Sequence, residues 1–414
     1  MKVLLVTMYW PPAGGAGVQR PLKFAKYLPE LGIETHVLAP DDPKWIHRDE
    51  GLREPTNATV HRARYVGPRG RLPAEELHGT GAVERAAKIA LLTYRRVLLP
   101  DENVTWNATA IPAVIRLVRR EAIDVVVTTS PPNSVHLTGA AAKRATRVQW
   151  VADVRDSMLR SADRRTERLA ARAKERTQAS IAWLVARHAD AVVGATEFIA
   201  DELRGVGAKR VRVITNGADF DDFVGLEYRP ADRFRITHTG SFFGKRDPRP
   251  FLTALEQVDL AAAVARFVGD FRVADREWAQ SLDLGSKVEL RGYVPYREAL
   301  RLQRDSDVNL LLLPDVPERG AAVASTKVYE YLVAQRPILA AVPTGGTAAA
   351  LVREAKAGTV VGADDVDAIR GALTDLYARW QSGALGDVPL TDELRTRLDR
   401  RARAEELAEL MRSL

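Results

Sequence analysis

The stretch SDVNLLLLPDVPERGAAVASTKVYEYLVAQRPILAAVPTGG, Ser306–Gly346, sets the reading of the whole chain. Val308–Leu313 is a short apolar run closed by Pro314 and Asp315, and Ile338–Val342 is a second one closed by Pro343. Between them, a loop with Gly320 and small residues leads into a helical pattern that starts near Ser325 and Thr326. Short apolar runs separated by a helix are the pattern of parallel strands covered on both faces.

Outward from this segment the same alternation recurs in both directions. Strands are expected at Val3–Thr7, Glu34–Ala39, Asp124–Thr129, Arg147–Ala152, Ala191–Gly194 and Val211–Thr215. Helical patterns such as Arg20–Leu31, Ala108–Glu121, Ser134–Ala145 and Thr166–His188 fall between them. The rhythm breaks over Asn216–Asp232, which is polar, turn-rich and without period, and restarts at Phe234–Thr239. Further strands are expected at Ala265–Val268, Val288–Arg291 and Thr359–Val361. The expected fold class is α/β, with two Rossmann-like, doubly wound parallel-sheet domains facing a cleft. The expected boundaries are a first domain over 1–215, a linker over 216–232, a second domain over 233–390 and a charged tail helix over 391–414 that packs back on the first domain.

A chain of 414 residues is long enough for two or three domains at about 150 residues each. Hydrophobic residues at 46% and charged residues at 28% exclude a largely disordered chain. The absence of cysteine excludes a disulfide scaffold, a Cys-ligated metal and a thiol nucleophile, and fits a cytoplasmic location. No run approaches the roughly 18 apolar residues of a membrane span, and Val3–Val6 reads as a buried strand, not as part of a signal peptide. The net charge of +7 is unevenly placed: residues 1–200 hold 30 Lys and Arg against 21 Asp and Glu, and residues 201–414 hold 31 against 33. Either an anionic partner or simple Arg-rich, solvated helix faces would account for this.

In open α/β sheets ligands bind beyond the carboxyl ends of the strands, so the loops there are expected to carry the chemistry. YWPPAGGAGVQR places Gly14, Gly15 and Gly17 ahead of a helix, where backbone N–H groups can approach an anion or a sugar. Its spacing is neither a dinucleotide fingerprint nor a Walker loop. VVVTTSPPNSVHLTG places His136 in the first turn of a helix, a candidate catalytic group with its pKa lowered by the helix dipole. WVADVRDSML puts Asp153 and Arg155 at a strand end, either as a clamp on a polar substrate or as a structural ion-pair network. In the second half, THTGSFFGKRDP combines Gly240 and Gly244 with Lys245 and Arg246, which suits a pyrophosphate. At the start of the 325–333 helix, Ser325, Thr326 and Lys327 would meet phosphate, and Glu330 would accept from ribose hydroxyls.

Taken together, Pro11–Gly32, VRVITNGADFDDF, THTGSFFGKRDP, VELRGYVPYREAL and STKVYEYLVAQRPILA resemble the retaining, nucleotide-sugar-dependent glycosyltransferases of family four, over residues 1 to about 365. The resemblance implies the glycosyltransferase-B fold, a UDP- or GDP-sugar donor, no other cofactor and no metal. It implies that Gly14–Gly17 lie against the donor phosphate and sugar, that Arg246 with Lys245 binds phosphate, that Gly292–Val294, with Tyr293, meets the nucleobase, and that Glu330 binds ribose. It also implies a front-face mechanism in which the leaving diphosphate helps deprotonate the acceptor. Two positions depart from the family: Ala322 stands where a glutamate near the donor sugar is usual, and Ser241 replaces an arginine.

The function expected is transfer of a hexose or hexosamine from a nucleoside-diphosphate sugar to a saccharide or lipid-linked acceptor. Glu84–Leu98, ERAAKIALLTYRRVL, reads either as a basic amphipathic contact with the inner face of a membrane or as a helix packed on its own domain. The alternatives are a nucleotide-sugar epimerase of the same fold and a nucleic-acid-binding protein. The latter lacks a recognition motif or an aromatic platform, so no nucleic acid partner is expected.

Overall fold

Apolar strands buried on both faces organise each half of the protein in the computed structural model, which describes residues 1–45, 47–68, 89, 94, 95, 97–159, 169–242, 245–315 and 325–414. The chain divides into two units: Met1–Thr215 with Arg400–Leu414, and Asn216–Asp399.

The first unit is built on β1 (Lys2–Thr7), β2 (Glu34–Pro40), β3 (Thr59–Ala63), β4 (Val125–Thr129), β5 (Gln149–Val154), β6 (Ala191–Gly194) and β7 (Val211–Val213). They form one sheet in the order β3-β2-β1-β4-β5-β6-β7, with parallel pairing throughout. The described helices connecting them include α1 (Ala16–Tyr27), α2 (Asn107–Arg120), α3 (His136–Thr146), α4 (Leu169–His188) and α5 (Glu197–Gly205). The order reverses beside β1, where β1 and β4 are neighbours. The strand ends there carry the Gly14–Gly17 loop and the segment leading to His136.

In the second unit, β8 (Phe234–Thr239), β9 (Ala263–Val268), β10 (Val288–Arg291), β11 (Val308–Leu312), β12 (Ile338–Ala341) and β13 (Gly358–Val361) form a parallel sheet in the order β10-β9-β8-β11-β12-β13. Around it lie α6 (Arg249–Glu256), α7 (Val273–Ser281), α8 (Tyr296–Arg304), α9 (Thr326–Val333), α10 (Thr347–Glu354), α11 (Val366–Gln381) and α12 (Asp392–Leu398). One face of the sheet is filled by Phe234, Phe251, Phe267 and Leu373, and the other by Val328, Tyr331, Leu332 and Val352.

Three segments differ from the sequence expectation. β3 was not expected: it is an edge strand whose Thr59, His61 and Arg62 keep contact with solvent, so it lacks the apolar run of a central strand. The 216–232 segment is docked on the second unit and is no free linker. There the Tyr228 hydroxyl donates to Asp307 and the Arg229 N–H donates to Asp305 at 2.9 Å, while the Arg336 guanidinium lies 3.8 Å over the Tyr228 ring. Finally, the single tail helix over 391–414 is two helices. Asp399 is extended, and the Leu398 carbonyl accepts the Ala218 N–H at 2.9 Å, which ends α12. The remainder, α13 (Arg400–Arg412), buries Ala404, Leu407, Ala408 and Met411 in the first unit beside Phe24 and Ile33.

Among the described residues no helix is long and apolar enough to cross a membrane. Packing of α3 on β5 depends on Gly139, where a β-carbon would overlap Trp150 Nε1. That indole is itself held, donating to Thr128 Oγ1 at 2.9 Å. Gly139→Ala is therefore expected to lower the urea midpoint of the first unit by an overpacking cost of about 2–3 kcal/mol, with near-UV dichroism reporting the disturbed tryptophan.

Candidate functional site

The best-furnished site in the second unit starts where β8 ends. After Thr239 the backbone turns at Gly240, with φ +133°, and after β9 it turns at Gly269, with φ +134°. Both values favour glycine. The two turns press backbone to backbone, because a β-carbon on Gly269 would lie 2.6 Å from the Gly240 carbonyl carbon. The Gly240 N–H donates to Val268 O at 2.6 Å, and the Gly269 N–H is shared between Arg291 O at 3.1 Å and Gly292 O at 3.2 Å. Three strand ends are thus joined, and Tyr293, half-buried, follows directly on the third.

Over this junction lies the start of α9. Val328, Tyr331 and Leu332 seat the helix in the core, so Lys327 and Glu330 are carried on fixed backbone. The Lys327 side chain crosses Gly240, and a β-carbon there would overlap its Cε and Nζ. Burial and the charge of Arg246 drive the Lys327 amine well below the usual lysine range, with Glu330 opposing them in part. Burial also lowers the Arg246 guanidinium. Among the described residues no carboxylate lies within ion-pair distance of Lys327.

His238 lies in β8 just before the turn. It is fully buried, Nδ1 donates to Leu310 O at 2.9 Å, and Nε2 has no hydrogen-bond partner among the described residues. Burial, then the charge of Lys327, hold its pKa well below the ordinary histidine value, so the ring is neutral. Nothing in the sequence singled out His238 except its position one residue before a strand end.

Other expected positions are placed as follows. Ser325 and Thr326 are partly exposed at the start of α9, Lys245 is exposed, and Arg246 is half-buried with its carbonyl accepting from Arg272 at 3.2 Å. Ser241, which stands for the family's arginine, closes its own turn instead: its Oγ accepts the Asp270 N–H at 3.0 Å. Gly244, Gly320 and Ala322 lie outside the described residues. Glu84–Leu98 does too, except for Ile89, Tyr94, Arg95, Val97 and Leu98.

In the first unit the expected catalytic group separates. Asp153 is 0% exposed and is met by Arg20, with Nη2 2.8 Å from Oδ1 and Nε 3.0 Å from Oδ2, and by the Thr129 hydroxyl at 2.7 Å. Burial raises its pKa, but the charge and hydrogen bonds of Arg20 outweigh this and hold the carboxyl below the usual range. Arg20 also donates to Thr215 O and Ile214 O, so this is a closed structural network and not a substrate clamp. His136, expected as a catalytic group, is likewise buried: it is 0% exposed, and its Nδ1 shares a 2.8 Å hydrogen bond with Thr128 Oγ1. Burial lowers its pKa to about 3.

Arg155 is different. It is partly exposed and joins two loops, donating to Ser130 O and, at 2.9 Å, to Gly17 O. The glycine loop ahead of α1 has Gly15 at φ +93° as its cap, with no side-chain cap hydrogen bond, and Gly14 N–H donates to His47 O at 2.9 Å. Among the described residues no three His, Asp or Glu side chains are grouped to hold a metal ion.

Two outcomes are expected. Arg20→Ala, which strands a buried carboxylate, should destabilise the first unit by about 3–5 kcal/mol in denaturant titration. Lys327, poised with a lowered pKa, should be acylated at a lower pH than the surface lysines, as read by peptide mass spectrometry of a pH series. Equal reactivity would contradict the electrostatics described.

Residues 14–217 match the family model described as a glycosyl transferase 4-like domain. No curated protein sequence matches the chain. Among solved structures, a glycosyltransferase from Rickettsia africae is 12% identical with a TM-score of 0.64, covering 100% of this chain and 98% of that one. HepE of Anabaena in complex with UDP and glucose is 17% identical with a TM-score of 0.62, and coverage is 100% of both chains. The UDP-GlcNAc 2-epimerase from Methanocaldococcus jannaschii is 12% identical with a TM-score of 0.54, again with 100% of both chains covered. Residues 14–217 are therefore similar to the glycosyl transferase 4-like domain, and the chain as a whole has the glycosyltransferase-B fold.

Proposed function

We propose that the protein is a retaining glycosyltransferase that moves a hexose or hexosamine from a UDP- or GDP-sugar to a saccharide or lipid-linked acceptor. The observation that carries this reading is the junction at Gly240, where the partly buried Lys327 lies over glycine backbone, one helical turn from the buried Glu330, and feels the charge of the half-buried Arg246. Burial penalises the charge of each cation, and a diphosphate would favour the charged forms through charge-assisted hydrogen bonds. Lys327 and Arg246 take the phosphates, Tyr293 lies beside the nucleobase, and Glu330 accepts from the ribose. UDP in the HepE structure supports this choice of ligand class.

In the first unit, Arg155, which donates to Gly17 O, and the Gly14–Gly17 loop are the groups suited to binding a sugar. His136 and Asp153, with no exposed atoms, act by holding the strand ends in place. A retaining front-face reaction needs no protein base, because the departing diphosphate takes the acceptor proton; no metal is required where Lys327 and Arg246 carry the charge. The exposed Ile89, Tyr94 and Val97 favour a peripheral membrane contact on the cytoplasmic side, where a lipid-linked acceptor would be found.

A panel of nucleotide sugars tests this reading: the expected result is donor hydrolysis or transfer with one of them, unchanged by EDTA, with retention at the anomeric carbon by NMR. Arg246→Ala and Glu330→Ala should each weaken nucleotide affinity about 10- to 100-fold, the scale of a charge-assisted hydrogen bond. No nucleotide-dependent thermal shift with any donor would sink the proposal. The epimerase likeness motivates one control, since interconversion of the donor sugar without acceptor would assign that activity instead.

A further inference from the structure

Gln303, in the last turn of α8, is 1% exposed, and its side-chain amide bridges two other elements. Nε2 donates to Thr239 Oγ1 at 2.9 Å and to Glu330 Oε2 at 3.3 Å. A carboxylate only accepts, so the amide is turned the one way that chemistry permits, and both of its protons are committed. The chain of bonds continues: the Tyr331 hydroxyl accepts the Thr239 N–H at 2.9 Å and lies 3.2 Å from Thr239 Oγ1. Burial pushes the Tyr331 phenol up to about 12, which keeps it a neutral hydrogen-bonding group. The end of β8, α8 and the start of α9 are tied together at the residue that precedes Gly240.

This arrangement has a cost. Gln303 Oε1 is buried and has no hydrogen-bond partner among the described residues. An apolar side chain of the same length would fill the space without that unsatisfied carbonyl. What the amide adds is control of Glu330, because anchoring Oε2 fixes the rotation of the carboxylate about its last bond and disperses its charge in a buried setting.

We propose that Gln303 is a positioning residue that sets the Glu330 carboxylate for ribose hydroxyls, and thereby makes the site select ribonucleotides over deoxyribonucleotides. The inference rests on the reading of Glu330 as the ribose-binding group. It adds that a residue with no direct contact to the nucleotide sets the discrimination.

The test is calorimetric titration of UDP, GDP and their 2′-deoxy and 3′-deoxy counterparts into wild type, Glu330→Ala, Gln303→Met and Gln303→Asn. Wild type should favour the ribonucleotide over at least one deoxy form by about tenfold or more, the scale of one charge-assisted hydrogen bond. Gln303→Met, nearly isosteric and without an amide, should lose most of that ratio by weakening the ribonucleotide while leaving the deoxy form within about twofold. Should the Met variant fold poorly by thermal melt, Gln303→Asn, whose amide is withdrawn by one methylene, carries the same expectation. A ratio that collapses in Glu330→Ala but persists in the folded Gln303 variant overturns the role of Gln303, as does an equal loss for both nucleotides. A ratio untouched in Glu330→Ala, or no ribonucleotide binding by wild type, overturns the reading of Glu330 itself and the inference with it.

Discussion

The second unit depends on a missing side chain. Gly240 is the point where β8 stops, the β9 turn presses in from one side, and the Lys327 side chain lies across from the other. Both neighbours occupy the volume that any other residue would fill, and the backbone angle there suits glycine alone. Close approach of backbone to backbone, with a lysine laid over it, puts a positive charge on the end of an ordinary parallel sheet. The helix that delivers Lys327 is held by Val328, Tyr331 and Leu332, so the charge is positioned by the same packing that stabilises the unit.

The two units handle buried charge in opposite ways. In the first, Arg20 and Asp153 form a buried ion pair, and two backbone carbonyls accept two of the three remaining guanidinium protons. Such a network is closed, and its value is structural. In the second, burial and the charge of Arg246 depress the proton affinity of Lys327, and burial depresses that of Arg246, with Glu330 only a partial counterweight at the lysine. A protein tolerates that arrangement where something anionic arrives from outside. The contrast explains why two clusters at strand ends, both charged, read so differently once their partners are known.

Much of the fold was legible because buried parallel strands write themselves as apolar runs, and Val308–Leu312 with Ile338–Ala341 is the clearest instance. The edge strand β3 was not, since a strand with one solvated side and no second neighbour needs no such run. At the site, Lys327 and Glu330 stood out because charged residues among Val328, Tyr331 and Leu332 have to be accounted for. His136 and Asp153 were readable as residues after strands, but not as buried ones. The arginine that satisfies Asp153 is 133 positions away, and only the folded chain brings it there. Gln303 left no trace either. In YREALRLQR it looks like one more polar residue of an amphipathic helix, and its two partners lie 27 and 64 residues distant.

The break at Asp399 has a consequence for how the protein is made. Leu407, Ala408 and Met411 belong to the same core as Val3, Phe24 and Ile33, yet almost four hundred residues of chain separate them. During synthesis the first unit emerges early but lacks one wall, and the whole second unit must leave the ribosome before α13 arrives to supply it. The apolar face of α1 that receives α13 stays open to solvent through that interval. The second unit suffers no such delay, because every strand and helix it needs lies between residues 216 and 399. Order of synthesis and order of completion are therefore reversed, with the half that is translated first finishing last.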